Sequence, residues 1–205
     1  MSIPSSRDAT EIVNAQLAPG EQLLWVGRPK QGFAIRASDL LFIPFTTLWL
    51  IGAIWISIAL LRQDGVASLR FTFPFILFGA AFIISRFWFD AKLRGRTFYG
   101  VSDRRLIIIT YWLGQESDFV NLKELLELRY THRSDRTGTL EFFTHFGGFN
   151  RLRGLGLGYN RGGLWWPGTR HWRFMIPPAF EMIANPLEVE QLIRQAWDKA
   201  KTAVN

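Results

Sequence analysis

The residue types that most often carry catalysis or hold metals are sparse in this chain. Its three histidines, His132, His145 and His171, match neither the HxxxH nor the HExxH spacing. The chain has no cysteine, which excludes thiolate metal sites, thiol catalysis and disulfides. No serine lies in a GxSxG elbow. The sequence therefore predicts a protein that is not an enzyme and that holds no metal and no cofactor.

Three alternating glycines, Gly154, Gly156 and Gly158, superficially resemble a phosphate-binding loop. Their spacing is not GxGxxG, no lysine accompanies them, and no helix is predicted to begin directly after them. We interpret them as part of a loop rather than as a nucleotide site.

Arginines and aromatic residues are interleaved between Gly147 and Arg173, a stretch without any acidic residue. Arginine binds phosphate through two hydrogen bonds, and tryptophan favours the headgroup region of a bilayer, so the pattern predicts contact with anionic lipid. The alternative is that the tryptophans cover the sheet and the arginines are solvated. Tryptophan also stacks on bases, but no nucleic-acid-binding motif accompanies it, and no nucleic-acid partner is predicted. The residues predicted to contact lipid or phosphate here are Arg151, Arg153, Arg161, Arg170, Arg173, Trp165 and Trp166.

A second basic pair, Arg104 and Arg105, follows Asp103 at a predicted turn. We include both arginines among the candidate lipid contacts. The alternative, which the turn favours, is that Asp103 accepts backbone N–H groups and both arginines face water.

Two long apolar runs, Leu40–Leu61 and Phe71–Phe89, are joined by a short linker. About 20 apolar residues in a helix span the ~30 Å hydrocarbon core of a bilayer. Neither run has the polar stripe of a helix at the surface of a soluble core. The sequence therefore predicts a membrane hairpin with helices at about 40–61 and 71–89, rather than two buried helices of a soluble protein. The residues expected to pack the two helices together are Ala53, Ser57, Ala81 and Ser85.

Lysine and arginine flank the hairpin on its outer sides. Arg28, Lys30 and Arg36 lie shortly before the first run, and Arg86, Lys92, Arg94 and Arg96 lie at or after the end of the second. The linker has only Arg62 and Arg70. Basic flanks stay in the cytoplasm, so both termini are predicted to be cytoplasmic. The net charge of +7 and the pI near 10.2 predict anionic membrane lipid as a partner.

The remaining chain reads as one α+β domain in two pieces. Residues 1–38 are expected to contribute a helix and a strand, 39–90 the hairpin, and 91–205 the rest, with an insertion at 147–169. Alternating and β-branched residues predict the strands, and apolar periodicity predicts the helices. The expected elements are a helix Asp8–Leu17 with Asp8 as N-cap, strands at Glu21–Pro29, Thr97–Ser102, Arg105–Trp112, Ser117–Asn121, Leu128–His132, Thr139–Phe146, His171–Ile176 and 179–183, and a last helix from Pro186 with Asn185 as N-cap.

Several stretches, in this order, resemble the bacterial pleckstrin-homology-like (PH-like) membrane proteins of the two-helix anchored type. They are Gly20–Pro29, the apolar hairpin, Thr97–Ile109 and Ala179–Ile193, and the most specific is the run YGVSDRR from Tyr99 to Arg105. The resemblance implies a bent antiparallel sheet, or partly open barrel, capped by the C-terminal helix. It implies little about activity, and the insertion at 147–169 departs from it.

Together these observations predict a multi-pass protein of the bacterial inner membrane with a cytoplasmic PH-like domain that binds or scaffolds at the membrane surface. The alternative is an accessory subunit of a membrane complex, with the hairpin as its interaction surface. A protein partner or a homo-oligomer is compatible with either.

Overall fold

The computed structural model describes residues 6–32, 34–35, 39–111, 114–132, 136–144 and 178–202. The predicted strand at His171–Ile176 and the insertion at 147–169 lie outside these residues. The helices are α1 (Ser6–Asn14), α2 (Asp39–Asp64), α3 (Leu69–Arg94) and α4 (Pro186–Thr202), and the strands are β1 (Leu23–Gly27), β2 (Thr97–Ser102), β3 (Arg105–Tyr111), β4 (Gln115–Asn121), β5 (Leu125–His132), β6 (Thr137–Thr144) and β7 (Ala179–Ala184).

The strands form two antiparallel sheets, in the orders β1-β2-β3-β4 and β5-β6-β7. β1 pairs with β2, with Gly27 opposite Tyr99, so the segment before the two long helices joins the same sheet as the segment after them. A 3₁₀ turn at Leu122–Glu124 links the sheets, and the Asn121 side chain caps it by accepting the N–H of Lys123 at 3.1 Å.

The main core lies between the sheets and is closed by α4. Tyr99, Leu106 and Ile108 face this core, and Phe180 stacks on Tyr99 with ring centroids 4.7 Å apart. Val189 and Ile193 of α4 pack into the same cluster. The apolar face that the sequence predicts for the last helix is therefore the face that covers the sheet.

The outer face of the four-stranded sheet is covered by α1. Val13 of α1 packs against Phe98, Ile107 and Ile109, which alternate with the core residues along β2 and β3. Because both faces are covered, β2 and the centre of β3 are buried throughout. Gly100 permits the close approach of α1, since a Cβ at this position would lie 2.5 Å from Cγ1 of Val13.

The predicted helix limits are confirmed in one case and need correction in the others. α1 runs from Ser6 to Asn14, so Asp8 lies inside the helix and is not its N-cap. Asn185 lies at the predicted position directly before α4, with Pro186 as the first helical residue; its φ is 48°, and its backbone carbonyl accepts the N–H of Glu188 at 3.1 Å and that of Val189 at 3.4 Å. The two apolar helices each have 26 residues and extend beyond the predicted limits, because their last turns are polar but still helical.

The strand limits also differ from the prediction in the second half of the chain. β5 begins at Leu125 rather than Leu128, and β6 begins at Thr137 rather than Thr139, while the predicted end of β6 at Phe146 lies outside the described residues. In both cases cross-strand pairing extends a strand into residues whose local sequence favours a bend or a turn.

Candidate functional site: the apolar helix pair and its junction with the sheet

The helices α2 and α3 carry apolar side chains on their outside and polar side chains between them. Residues of a water-soluble helix pair show the reverse arrangement. The buried polar residues are Asp39, Thr46, Ser57, Ser68 and Thr72. The exposed large apolar residues of the two helices are Ile43, Phe45, Leu48, Trp49, Ile51, Ile54, Trp55, Ile56, Ile58, Leu61, Phe71, Phe73, Phe75, Leu77, Phe78, Ile84, Trp88 and Phe89.

This helical segment is long and apolar enough to cross a membrane. Among the described residues it forms one candidate span, Phe42–Arg94, because the 3₁₀ turn Gly65–Ser68 continues the helical backbone from α2 into α3. Only 11% of its most apolar stretch of 18 residues is buried. It therefore does not resemble the core helix of a soluble protein, which would be mostly buried.

The two helices pack side by side in opposite directions. Asp39 at the start of α2 forms an ion pair with Arg86 near the end of α3, with Oδ1 and Nη2 3.1 Å apart. Phe42 lies against Phe82, with ring centroids 5.3 Å apart. The ion pair and the ring contact fix the register of the helices at their sheet-proximal ends.

The hydroxyl groups of Thr46, Ser57 and Ser85 find acceptors within their own helices, whereas Oγ1 of Thr72 is buried without a hydrogen-bond partner among the described residues. Thr46 Oγ1 donates to the carbonyl of Phe42 at 2.8 Å, and Ser57 Oγ donates to the carbonyl of Ala53 at 2.6 Å. A hydroxyl that is satisfied by the carbonyl four residues earlier costs little in an apolar medium. These contacts make the three bonded residues compatible with a lipid environment.

The small residues predicted to pack the helices together are only partly at the interface. Ser57 is buried, Ala53 and Ser85 are half-buried, and Ala81 is exposed. A close approach falls at Gly79, where a Cβ would lie 2.7 Å from Cδ2 of Leu50. The reason is helical phase: Gly79 and Thr72 are seven residues apart, which places them on one face of α3.

The end of α3 is locked to the segment that leaves β1. Arg94 is 3% exposed at its side chain, and its Nε donates to Oδ2 of Asp90 at 2.9 Å. Its Nη1 donates to the carbonyl of Lys30, and its Nη2 donates to the carbonyl of Gly32 at 2.6 Å. One side chain thus neutralises a buried carboxylate and binds two carbonyls more than 60 positions away in the sequence.

Further contacts complete this junction, which we define as residues 28–32 and 88–97. Arg28 donates to the carbonyl of Gly95 at 2.8 Å and lies over the ring of Phe98 at 4.7 Å. The N–H of Lys30 donates to the carbonyl of Met182 in β7 at 2.8 Å. The junction therefore ties the helix pair to both sheets.

The opposite end of the four-stranded sheet holds a second buried ionic group. Glu21 accepts hydrogen bonds from Arg105 at 2.9 and 3.0 Å, from Ser102 Oγ at 2.5 Å, and from the N–H of Ala18 at 2.7 Å. Burial alone would raise the pKa of Glu21, but the hydrogen bonds from Arg105, Ser102 and Ala18 outweigh it and lower the pKa below its ordinary value.

The two arginines predicted as lipid contacts at the β2–β3 turn have different surroundings. Arg105 is bound to Glu21 and lies over the ring of Phe119 at 4.3 Å, so it holds the local structure together. The Arg104 side chain is 59% exposed. Both lie at the far end of β2 from the junction, about 17 Å away along the strand at 3.4 Å per residue.

The remaining predicted lipid contacts lie outside the described residues. They are Arg151, Arg153, Arg161, Arg170, Arg173, Trp165 and Trp166.

The Asp90–Arg94 and Asp39–Arg86 ion pairs were not predicted from the sequence. The i,i+4 spacing of Asp90 and Arg94 at the end of an apolar run is a signal that could have indicated the first pair; the second joins residues that are distant in sequence.

In the part of the chain that the structure describes, no group of three or more His, Asp or Glu residues could hold a metal ion. Comparison with protein-family models, with curated proteins and with solved structures finds no match for this chain.

Proposed function

We propose that this chain is an integral protein of the bacterial inner membrane that presents a non-catalytic, PH-like domain at the cytoplasmic surface for binding or scaffolding. The helices α2 and α3 cross the membrane as a hairpin, and both termini are cytoplasmic. The observation that carries the proposal is the inverted helix pair, with polar residues such as Asp39 and Thr72 buried and apolar ones such as Trp55 exposed.

The length of the helices supports a full crossing. Each has 26 residues, about 39 Å at 1.5 Å per residue, which exceeds the ~30 Å hydrocarbon core. A cluster of exposed apolar side chains this large is unstable in water and needs lipid or protein to cover it. The charged residues Asp39 and Arg86 pair with each other near one end of the hairpin. At this end the distance from their charged groups to the lipid headgroups is short.

The PH-like assignment is supported by the order of elements. Two antiparallel sheets are followed by α4, which packs on the core between them. Antiparallel strands covered by a C-terminal helix are the part of this arrangement that the resemblance of Tyr99–Arg105 and its flanking segments implies. We propose a binding or scaffolding role rather than catalysis because the sequence carries none of the catalytic motifs considered above.

A second function is favoured by one feature of α2. A Cβ added at Gly52 would meet nothing within 4 Å, so the backbone is open here on the outside of the helix. A helix of another membrane protein could approach closely at this point. The chain would then be an accessory subunit of a membrane complex, with the hairpin as the interaction surface.

Fractionation and reporter fusions test the first proposal. The protein should stay in the membrane pellet after extraction with alkaline carbonate. A reporter fused after Asn205 should be active only in its cytoplasmic form, and one inserted at Gln63 only in its periplasmic form. Release by carbonate, or a cytoplasmic signal at Gln63, would contradict it. Stoichiometric recovery of one membrane protein after cross-linking, lost in Gly52→Leu, would favour the accessory subunit.

A further inference from the structure

We propose that the junction itself is the site at which this protein binds anionic phospholipid headgroups, with Lys30, Lys92 and Arg96 as the contacting cations. This inference rests on the proposed membrane insertion of α2 and α3. It places the lipid contact at the end of the sheet where β2 begins, rather than at Arg104 and Arg105.

The charge balance of the junction supports this assignment. Residues 28–32 and 88–97 contain five cationic residues and one acidic residue, Asp90. Asp90 is buried and paired with Arg94, so these two charges offset each other inside the protein. Arg28 is held by the carbonyl of Gly95 and the ring of Phe98. The other three cations of the junction are Lys30, which is exposed, and Lys92 and Arg96, which are half-buried.

The backbone beneath Lys30 is rigid. Its N–H donates to the carbonyl of Met182, and its carbonyl accepts from Arg94, while the residue as a whole is exposed. A fixed backbone reduces the entropy that a charged side chain loses when it binds a phosphate. Lys30 is therefore presented from a preorganised position beside the last turn of α3.

Lys92 lies at the boundary between apolar and polar surface. Its Nζ is 4.2 Å from the ring centroid of Trp88, which is 53% exposed. Tryptophan with a neighbouring lysine one turn later is typical of the interface between acyl chains and headgroups. Trp88 thus marks the depth of the headgroups, and Lys92 lies at that depth.

Arg96 lies where α3 ends and the four-stranded sheet begins. Its carbonyl accepts the N–H of Tyr111 at 2.9 Å, which fixes it between the end of α3 and the end of β3. The three cations therefore lie on the two segments that the Arg94 contacts bring together where the helix pair meets the sheet. Anionic phosphate is the chemistry that such a cluster attracts, because each basic residue near an anionic leaflet favours binding through charge.

The test uses the full chain reconstituted in phosphatidylcholine bilayers that contain a minor fraction of phosphatidylglycerol. The relative association of spin-labelled phosphatidylglycerol and phosphatidylcholine with the protein is measured for the natural chain and for Lys30→Gln, Lys92→Gln and Arg96→Gln. The matched control is Arg104→Gln, which removes the same charge at the far end of β2. We expect a preference for phosphatidylglycerol that falls by about two- to fivefold in each junction variant and stays unchanged in the control; a natural preference that no junction variant lowers would contradict the assignment.

Two further outcomes would overturn the inference. One is an equal association of both lipids with the natural chain; the other is an equal loss in Arg104→Gln and the junction variants. Carbonate extraction of the same proteins separates this failure from that of the proposed function. A chain that resists extraction but shows no lipid preference contradicts the junction site alone, whereas a chain released by carbonate contradicts the membrane insertion.

Discussion

Arg94 and Asp90 lie one helical turn apart at the end of α3, with Nε and Oδ2 2.9 Å apart and both side chains almost fully buried. The same guanidinium binds the carbonyls of Lys30 and Gly32. The end of α3 is therefore fixed to the segment that follows β1. Loss of this arginine would leave both a buried carboxylate and two carbonyls without their donor.

We expect Arg94→Gln to destabilise the protein by about 3–5 kcal/mol, because removing one partner of a buried ion pair leaves the other charge uncompensated. Thermal unfolding of the full chain in detergent micelles, followed by tryptophan fluorescence, measures the change. Arg104→Gln is the matched control and should change the stability by about 0.5 kcal/mol or less, since its side chain is exposed. The double variant Asp90→Asn/Arg94→Gln should recover part of the loss; no recovery would contradict the pairing.

The packing of the two apolar helices gives a second prediction. Gly79→Ile should disrupt the pair by about 1–3 kcal/mol or more, because its Cβ would lie 2.7 Å from Leu50. Gly52→Ile is the matched control: it introduces the same side chain in the middle of α2, where an added Cβ would meet no atom within 4 Å. Thermal unfolding in micelles should show a clear loss for Gly79→Ile and little change for Gly52→Ile. Equal losses would contradict the described packing.

The contact between α1 and the sheet predicts a coupled pair of substitutions. Gly100→Ala should destabilise the protein by about 1–3 kcal/mol, because the new Cβ would lie 2.5 Å from Val13. Val13→Ala removes the opposing methyl groups at the cost of a small cavity. In a double-mutant cycle measured by urea unfolding, the double variant should be more stable than the sum of the single losses. Additive losses would mean that the two residues do not touch.

The pH dependence of stability follows from Glu21. The pKa of this carboxyl is lower in the folded protein than its ordinary value of 4.5, so the unfolded chain binds its proton first as the pH falls. The stabilisation is fully present above pH 4.5, decreases below it, and is lost once the pH passes the folded pKa. Glu21→Gln should remove this contribution to the acid dependence, which urea unfolding at neutral and acidic pH would measure. An unchanged acid dependence in the variant would contradict it.

The sequence predicts the order of elements better than the contacts that position them. The apolar runs and the periodic face of α4 are strong local signals, and α2, α3 and α4 contain the predicted helices. The role of α1 could not be predicted, because the run Ile107–Ile109 is buried on both faces and shows no alternation that would indicate which side needs a cover.

The junction could not be predicted for a different reason. Arg94 is one of several basic residues that follow the second apolar run, and local sequence does not distinguish a buried arginine from a solvated one. Its partners Lys30 and Gly32 become neighbours only when β1 pairs with β2 around the inserted helices. The same pairing places Arg104 at the far end of β2, away from the junction with the apolar helices. Its position in a basic pair had predicted that it contacts lipid.

The most direct test of the membrane hairpin uses single cysteines, since the natural chain has none. Gln63→Cys, Trp55→Cys and Lys199→Cys place a thiol at the end of α2 beside the connecting turn, in the middle of α2 and on α4, and all three natural residues are exposed. With a membrane-impermeant maleimide, Gln63→Cys should label in intact spheroplasts and Lys199→Cys only after lysis. Trp55→Cys should label in neither case until detergent unfolds the protein, because in the proposed topology lipid covers this 70% exposed position. Rapid labelling of Trp55→Cys in lysed membranes would show that water covers this surface and would contradict the account.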